Sequence, residues 1–184
     1  MKFTKLAAAI TLGLAFSAAH AATATNTFNV KITITGTCDA VAYAANATSD
    51  VDFGTQTAAA TSAALQATNN AGTRLAVRCS KNLPVTLGLT PASATAGAST
   101  GAGSMGNGTD TIAYQLTQPT GAPLAPAYAT PWGDIVGTNT LAVTGNGLAA
   151  ADAVNVPVNA TIAANSLNVS AGNYTEVVTA TLTY

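Results

Sequence analysis

Gly97-Ala98-Ser99-Thr100-Gly101 carries the G-x-S-x-G spacing of a nucleophile elbow, in which a serine sits on a strained strand-to-helix turn. Such a serine needs a base. The only histidine, His20, lies near the N-terminus in a stretch that reads as a removable leader, and no nearby lysine or strand-turn-helix context replaces it. The overlapping Gly101-Ala102-Gly103-Ser104-Met105-Gly106 satisfies G-x-G-x-x-G, whose glycines let a backbone approach a pyrophosphate at a helix N-terminus. No helix is expected here, because Asn107, Gly108 and Thr109 continue the same small-residue stretch; residues 92–108 read as one long loop. Asp50 and Asp52 would share one side of a strand, a spacing suited to a calcium ion or an acid/base pair. Without further acidic ligands nearby, a solvated strand end before Phe53-Gly54 is the better reading. Sequons at Asn46-Ala47-Thr48 and Asn168-Val169-Ser170 carry little weight in so Asn- and Thr-rich a chain. Trp132, the single tryptophan, is expected to pack rather than to line a ligand site. These residues point to no enzyme, metal, cofactor or small-molecule substrate.

The elements that would hold such groups are strands. Apolar residues alternate with Thr, Asn or Lys in short runs: Phe28 to Ile34, Leu75 to Cys79, Val85 to Leu89, Ile112 to Leu116, Val154 to Ile162 and Tyr174 to Tyr184. Short alternating runs between Gly, Pro and Asn clusters predict an all-β sandwich or barrel. Glu176 interrupts the apolar side of the last run, so its first residues are expected to be bulged or outside the core. Pro157 falls on the outward parity of its run and predicts an edge strand or a bulge. Residues 58–64 permit a short helix or a featureless strand.

Lys2 and Lys5 precede an apolar run from Leu6 to Phe16, followed by the small-x-small triplet Ala19-His20-Ala21. This predicts a signal peptide over residues 1–21. The apolar run is about half of the roughly 20 residues that span a bilayer, so the mature chain is expected to be soluble and exported. Beyond residue 21, Lys31, Arg74, Arg78 and Lys81 face seven acids, a balance that offers nucleic acid no electrostatic footprint. Charged residues are 7% of the chain, against about a quarter in ordinary globular proteins. Leu, Ile, Val and Phe total 37 of 184, a thin supply for a self-sufficient core, so a staple or a partner is expected.

Cys38 and Cys79 are the staple. Export places them in an oxidising compartment, where an even count predicts pairing; free thiols or a metal pair are the alternatives. Their parity matches the inward sides of their runs. Closing a loop of this length stabilises by about 3 to 4 kcal/mol on the chain-entropy account.

Thr27 to Thr35 is the most regular strand pattern, with Phe28, Val30, Ile32 and Ile34 on one side and Asn29, Lys31, Thr33 and Thr35 on the other. Periodicity alone allows an ordinary first strand or a strand held out for another molecule's sheet. The chain resembles the spore coat protein U domain family and, within it, the major subunits of archaic (Csu-type) chaperone/usher pili. The resemblance is carried by Phe28-Asn29-Val30-Lys31-Ile32-Thr33-Ile34 leading to Gly36-Thr37-Cys38, by Phe53-Gly54-Thr55 and by Leu75-Ala76-Val77-Arg78-Cys79. It continues through Ile112-Ala113-Tyr114-Gln115-Leu116, Trp132-Gly133-Asp134, and Ala171-Gly172-Asn173-Tyr174 through Thr181-Leu182-Thr183-Tyr184. Ile135 stands where the family often has another glycine, and Met105 lacks the arginine that often precedes it.

The resemblance implies an incomplete immunoglobulin-like β-sandwich, completed by donor-strand exchange. Residues 22–36 would be the donor segment, inserting Phe28, Val30, Ile32 and Ile34, and residues 37–184 the domain. Tyr174, Val178, Ala180, Leu182 and Tyr184 would form one wall of the acceptor groove. The implied partners are copies of the chain or related pilins, a periplasmic chaperone and an outer-membrane usher. The implied role is a structural pilus subunit at the cell surface, supporting adhesion and biofilm formation. The rival reading is a self-contained secreted coat or matrix protein whose first strand completes its own sandwich; a sugar-binding or hydrolytic sandwich is disfavoured by scattered aromatics.

Overall fold

A computed structural model describes residues 26–42, 50–69, 75–120 and 127–184. The expected signal peptide over residues 1–21 and the sequon at Asn46 lie outside them. The chain divides into two units, Met1–Ile34 and Thr35–Tyr184, each described by itself.

The second unit is all-β, an immunoglobulin-like sandwich of eleven described strands in three hydrogen-bonded sheets. The first sheet is β1 (Cys38–Ala42), β3 (Leu75–Cys79) and β9 (Val154–Val156), in the order β1-β3-β9. The second orders β2 (Leu65–Thr68), β10 (Asn159–Ile162), β6 (Thr111–Thr120) and β5 (Ala102–Gly106), with β7 (Ala127–Pro131) also on β6. The third is β11 (Val178–Thr183), β4 (Pro84–Pro91) and β8 (Leu141–Thr144), in the order β11-β4-β8.

Alternation builds the core. Leu75, Val77 and Cys79 of β3, Val85, Leu87 and Leu89 of β4, Ile112, Tyr114 and Leu116 of β6, and Ala160 and Ile162 of β10 join one buried cluster. Residues between them, such as Thr86 and Thr90 on β4, are less buried, because successive side chains leave a strand on opposite faces. Cys38 stands opposite Cys79 in the β1–β3 register, and a disulfide joins them. The next pair along, Asp39 and Arg78, forms an ion pair at 3.3 Å.

Trp132 is fully buried and connects two sheets: its backbone N–H donates to Leu116 O at 2.9 Å and its indole Nε1–H to Leu87 O at 2.9 Å. Gly133 and Asp134 follow it through a crowded passage. A side chain on Gly133 would collide with the Ser99 carbonyl, and one on Gly101, at φ +81°, with the Trp132 carbonyl. Glycine is what allows these backbones to touch.

The structure corrects several expectations. The run from Val154 to Ile162 is two strands in two sheets: β9 pairs with β3, and β10 lies between β2 and β6. Pro157 marks the crossing: it is buried and directly follows β9, an edge strand of its sheet among the described strands, and its missing N–H falls where one ladder ends and the chain changes sheets. Residues 92–108 are not one loop, since β5 pairs with β6 over Ala102–Gly106. Its small residues suit a strand pressed on its neighbours: a side chain on Gly103 would collide with Tyr114. Residues 58–64 form neither helix nor strand; they run beside residues 162–167, with Ala59 N donating to Leu167 O and Ser62 exchanging hydrogen bonds with Asn165.

Candidate functional site

Ser99, the serine of the elbow-like motif, is buried, and its groups are committed: its N–H donates to Asp134 Oδ1 at 2.8 Å, its Oγ accepts from Gly101 N, and its carbonyl accepts from Asn139 Nδ2. Asp134 is the hub of this loop, its Oδ2 accepting from Thr90 Oγ1 and Gly97 N, both at 2.7 Å. Burial pushes the Asp134 carboxyl upward, but these donors outweigh it and hold the group below the usual carboxylate range. The motif is an anchored turn. Gly101 through Gly106 lead into and form β5, with no helix N-terminus to receive a phosphate. Among the described residues, no group of three or more His, Cys, Asp or Glu could hold a metal ion, and no helix is long and apolar enough to cross a membrane.

The site with the most unfinished physical chemistry is an apolar groove beside β11. Among the described residues that strand pairs with β4 on one side only, and β1 approaches it without a ladder between them. A cavity of about 600 Å³ opens there. It is lined by Val178 and Ala180 of β11, by Tyr174 to Val177 before it, by residues 50–53, and by core residues that include Leu89, Leu116 and Ala160. A second cavity of about 460 Å³ shares Val51, Phe53, Met105 and Tyr174 and extends to Leu65, Ile162 and Leu167. Val51, Phe53, Leu65, Met105, Tyr174, Val178, Ala180 and Leu182 pack against the core but are only half covered. A half-covered apolar row beside an unpaired strand edge is the arrangement that another strand completes.

Of the residues expected to form a groove wall, Tyr174, Val178 and Ala180 line the larger cavity. Leu182 packs against the core outside it, and Tyr184 is exposed. β11 begins at Val178, so Tyr174 to Val177 lie outside the strand; Tyr174 nevertheless packs against the core, where the first residues of this run were expected to be bulged or outside it. Tyr174 is held by its hydroxyl donating to Ser170 O at 2.7 Å.

Glu176 itself lines the groove. Its Oε1 accepts from Ser93 N at 2.7 Å and its Oε2 from Ser104 N at 2.8 Å, so one carboxylate ties the loop after β4, β5 and the lead-in to β11. Burial pushes the group upward, but Ser93, the Tyr114 hydroxyl and the two backbone N–H donors hold it below the usual range. The Tyr114 hydroxyl is buried beside it without a partner in good hydrogen-bond geometry; burial first, then the Glu176 side chain and its charge, pushes that phenol far above its ordinary value. Sequence reading marked Glu176 only as an interruption. A single acid on an inward parity was the available signal that its carboxylate meets backbone donors.

Asp50 and Asp52 lie in an extended segment that is not a strand, yet their parity is as expected: both are exposed while Val51 and Phe53 turn inward to line the groove. Asp52 Oδ1 accepts from Gly54 N at 2.7 Å, closing the turn at Gly54.

In the first unit, residues 26–34 form no strand. Phe28, Val30, Ile32 and Ile34 are between 81% and 89% exposed, the largest run of uncovered apolar side chains among the described residues.

Compared with curated proteins, the chain matches none significantly. It matches the Spore Coat Protein U domain over residues 24–181, nearly all of its length. An all-β sandwich stapled by Cys38–Cys79 and a family match that covers both units place the chain in the spore coat protein U domain family, a family of extracellular surface proteins.

Proposed function

We propose that this surface protein is a pilus subunit that polymerises by donor-strand exchange: Phe28, Val30, Ile32 and Ile34 of one copy enter the groove beside β11 of the next. One observation carries the reading. The chain has an apolar groove with a free strand edge and, separately, a segment whose apolar residues alternate at the period of a strand and lie uncovered. Each supplies what the other lacks. Burying four such side chains contributes roughly 6 to 12 kcal/mol before ordering costs, and ladder hydrogen bonds to β11 would set direction and register.

Until a neighbour's strand arrives, the groove is an aggregation hazard in a chain with few charges. A periplasmic chaperone that lends it a strand, and an outer-membrane usher at which one strand replaces the other, are the partners this chemistry calls for. Adhesion and biofilm support follow from the polymer at the cell surface.

Deleting residues 22–35 tests the reading. A donor segment predicts a shortened chain that still folds when a chaperone covers its groove, and forms no fibres by electron microscopy of expressing cells. A self-contained coat or matrix protein predicts that the same deletion unfolds the domain.

A further inference from the structure

Lys31 is the only charged residue between Asn26 and Thr37, and it stands on the face of the segment opposite Phe28, Val30, Ile32 and Ile34. The groove has the opposite sign at its rim. Residues 50–53 border it with Val51 and Phe53 inward and the carboxylates of Asp50 and Asp52 outward in solvent. Asp50 has no partner among the described residues, and Asp52 gives one oxygen to Gly54 N. Glu176, which also lines the groove, already accepts from Ser93 and Ser104 N–H. The described cations of the domain, Arg78 and Lys81, do not line the groove, and Arg78 is held by Asp39.

We infer that Asp50 and Asp52 form a recognition rim that selects the Lys31-bearing strand of a second copy. The inference rests on the donor-strand reading and adds to it the residues that read the partner. A strand lying in the groove with its apolar face down has its other face up, level with the outward carboxylates. Lys31 then meets Asp50 and Asp52 across the rim as an opposite-charge cross-strand pair. The pair steers the approach of the segment at low salt.

The test uses fibre assembly by the full-length exported protein, followed by light scattering at low and high ionic strength. Lys31→Glu should slow assembly about threefold to twentyfold at low salt, since it replaces attraction with repulsion. Asp50→Lys with Asp52→Asn should do the same, the asparagine oxygen still accepting from Gly54 N, and circular dichroism checks that this variant is folded. Combining all three substitutions should restore the wild-type rate, and high salt should bring every variant together as screening shortens the range of the charges. Lys31→Glu assembling at the wild-type rate at low salt overturns the rim while leaving donor-strand exchange intact. Failure of the triple variant to recover, when both partial variants are folded and slow, overturns it equally. Ile32→Asp serves as the separate control: if it assembles normally, the donor-strand reading itself falls.

Discussion

Replacing Ile32 by aspartate puts the largest perturbation on the smallest part of the chain. Ile32 is 85% exposed, so the substitution removes no packing from the folded domain. In the assembled state its side chain would be covered by the groove, contributing about 1.5 to 3 kcal/mol of burial that the variant forfeits. An aspartate there must also be desolvated or protonated. A carboxyl raised by about 2 units on burial costs near 3 kcal/mol more at neutral pH. The sum is about 5 kcal/mol, a loss of roughly 10³ to 10⁴ in the assembly equilibrium. Thr33→Asn, one residue away on the opposite face, is the matched control; its amide stays solvated, brings no charge to the acidic rim and should change assembly by less than about threefold. Sedimentation of fibres from cells expressing each variant, with electron microscopy of the pellet, reads the difference. Ile32→Asp fibres at wild-type abundance would refute the reasoning, and so would equal damage from both substitutions, because the argument depends on the two-residue period.

The domain makes two further predictions. Cys38→Ser with Cys79→Ser opens a loop of sequence separation 41 and should cost roughly 4 kcal/mol, lowering the melting midpoint by about 8 to 16 °C in calorimetry, with the wild type under reductant falling to the same value. An unchanged midpoint would mean that the loop stays ordered without its staple. Glu176 and Asp134 both titrate below their ordinary values when folded, so their stabilising effect is present above the unfolded carboxylate range and is lost as the pH falls through and below it. Acid titration by circular dichroism should therefore show stability declining below about pH 4.5, and Glu176→Gln should flatten part of that decline. A Glu176→Gln profile that superimposes on the wild type would remove the carboxylate from this role.

What was legible beforehand followed from period and covalent chemistry. Alternation in Leu75 to Cys79, Val85 to Leu89 and Ile112 to Leu116 names both the strands and their buried sides, because side-chain direction in a strand is a local property of the backbone. Two cysteines on inward parities left one intramolecular disulfide to form, and it joins β1 to β3. The apolar face of residues 28–34 and the odd position of Glu176 were equally visible.

What only the tertiary structure decided is whatever depends on which neighbour a residue meets. Alternation through Val154 to Ile162 does not reveal that Pro157 hands the chain from one sheet to another, since parity is blind to which ladder a strand joins. Gly103 of β5 looks like loop because a residue without a side chain shows no period; its reason is Tyr114 on the neighbouring strand and Glu176, far away in sequence, both pressed against it. The groove belongs to the same class. Val51 and Phe53, Met105, and Val178 with Ala180 come from three separate parts of the chain, and the uncovered space between them exists only where the sheets bring those parts together.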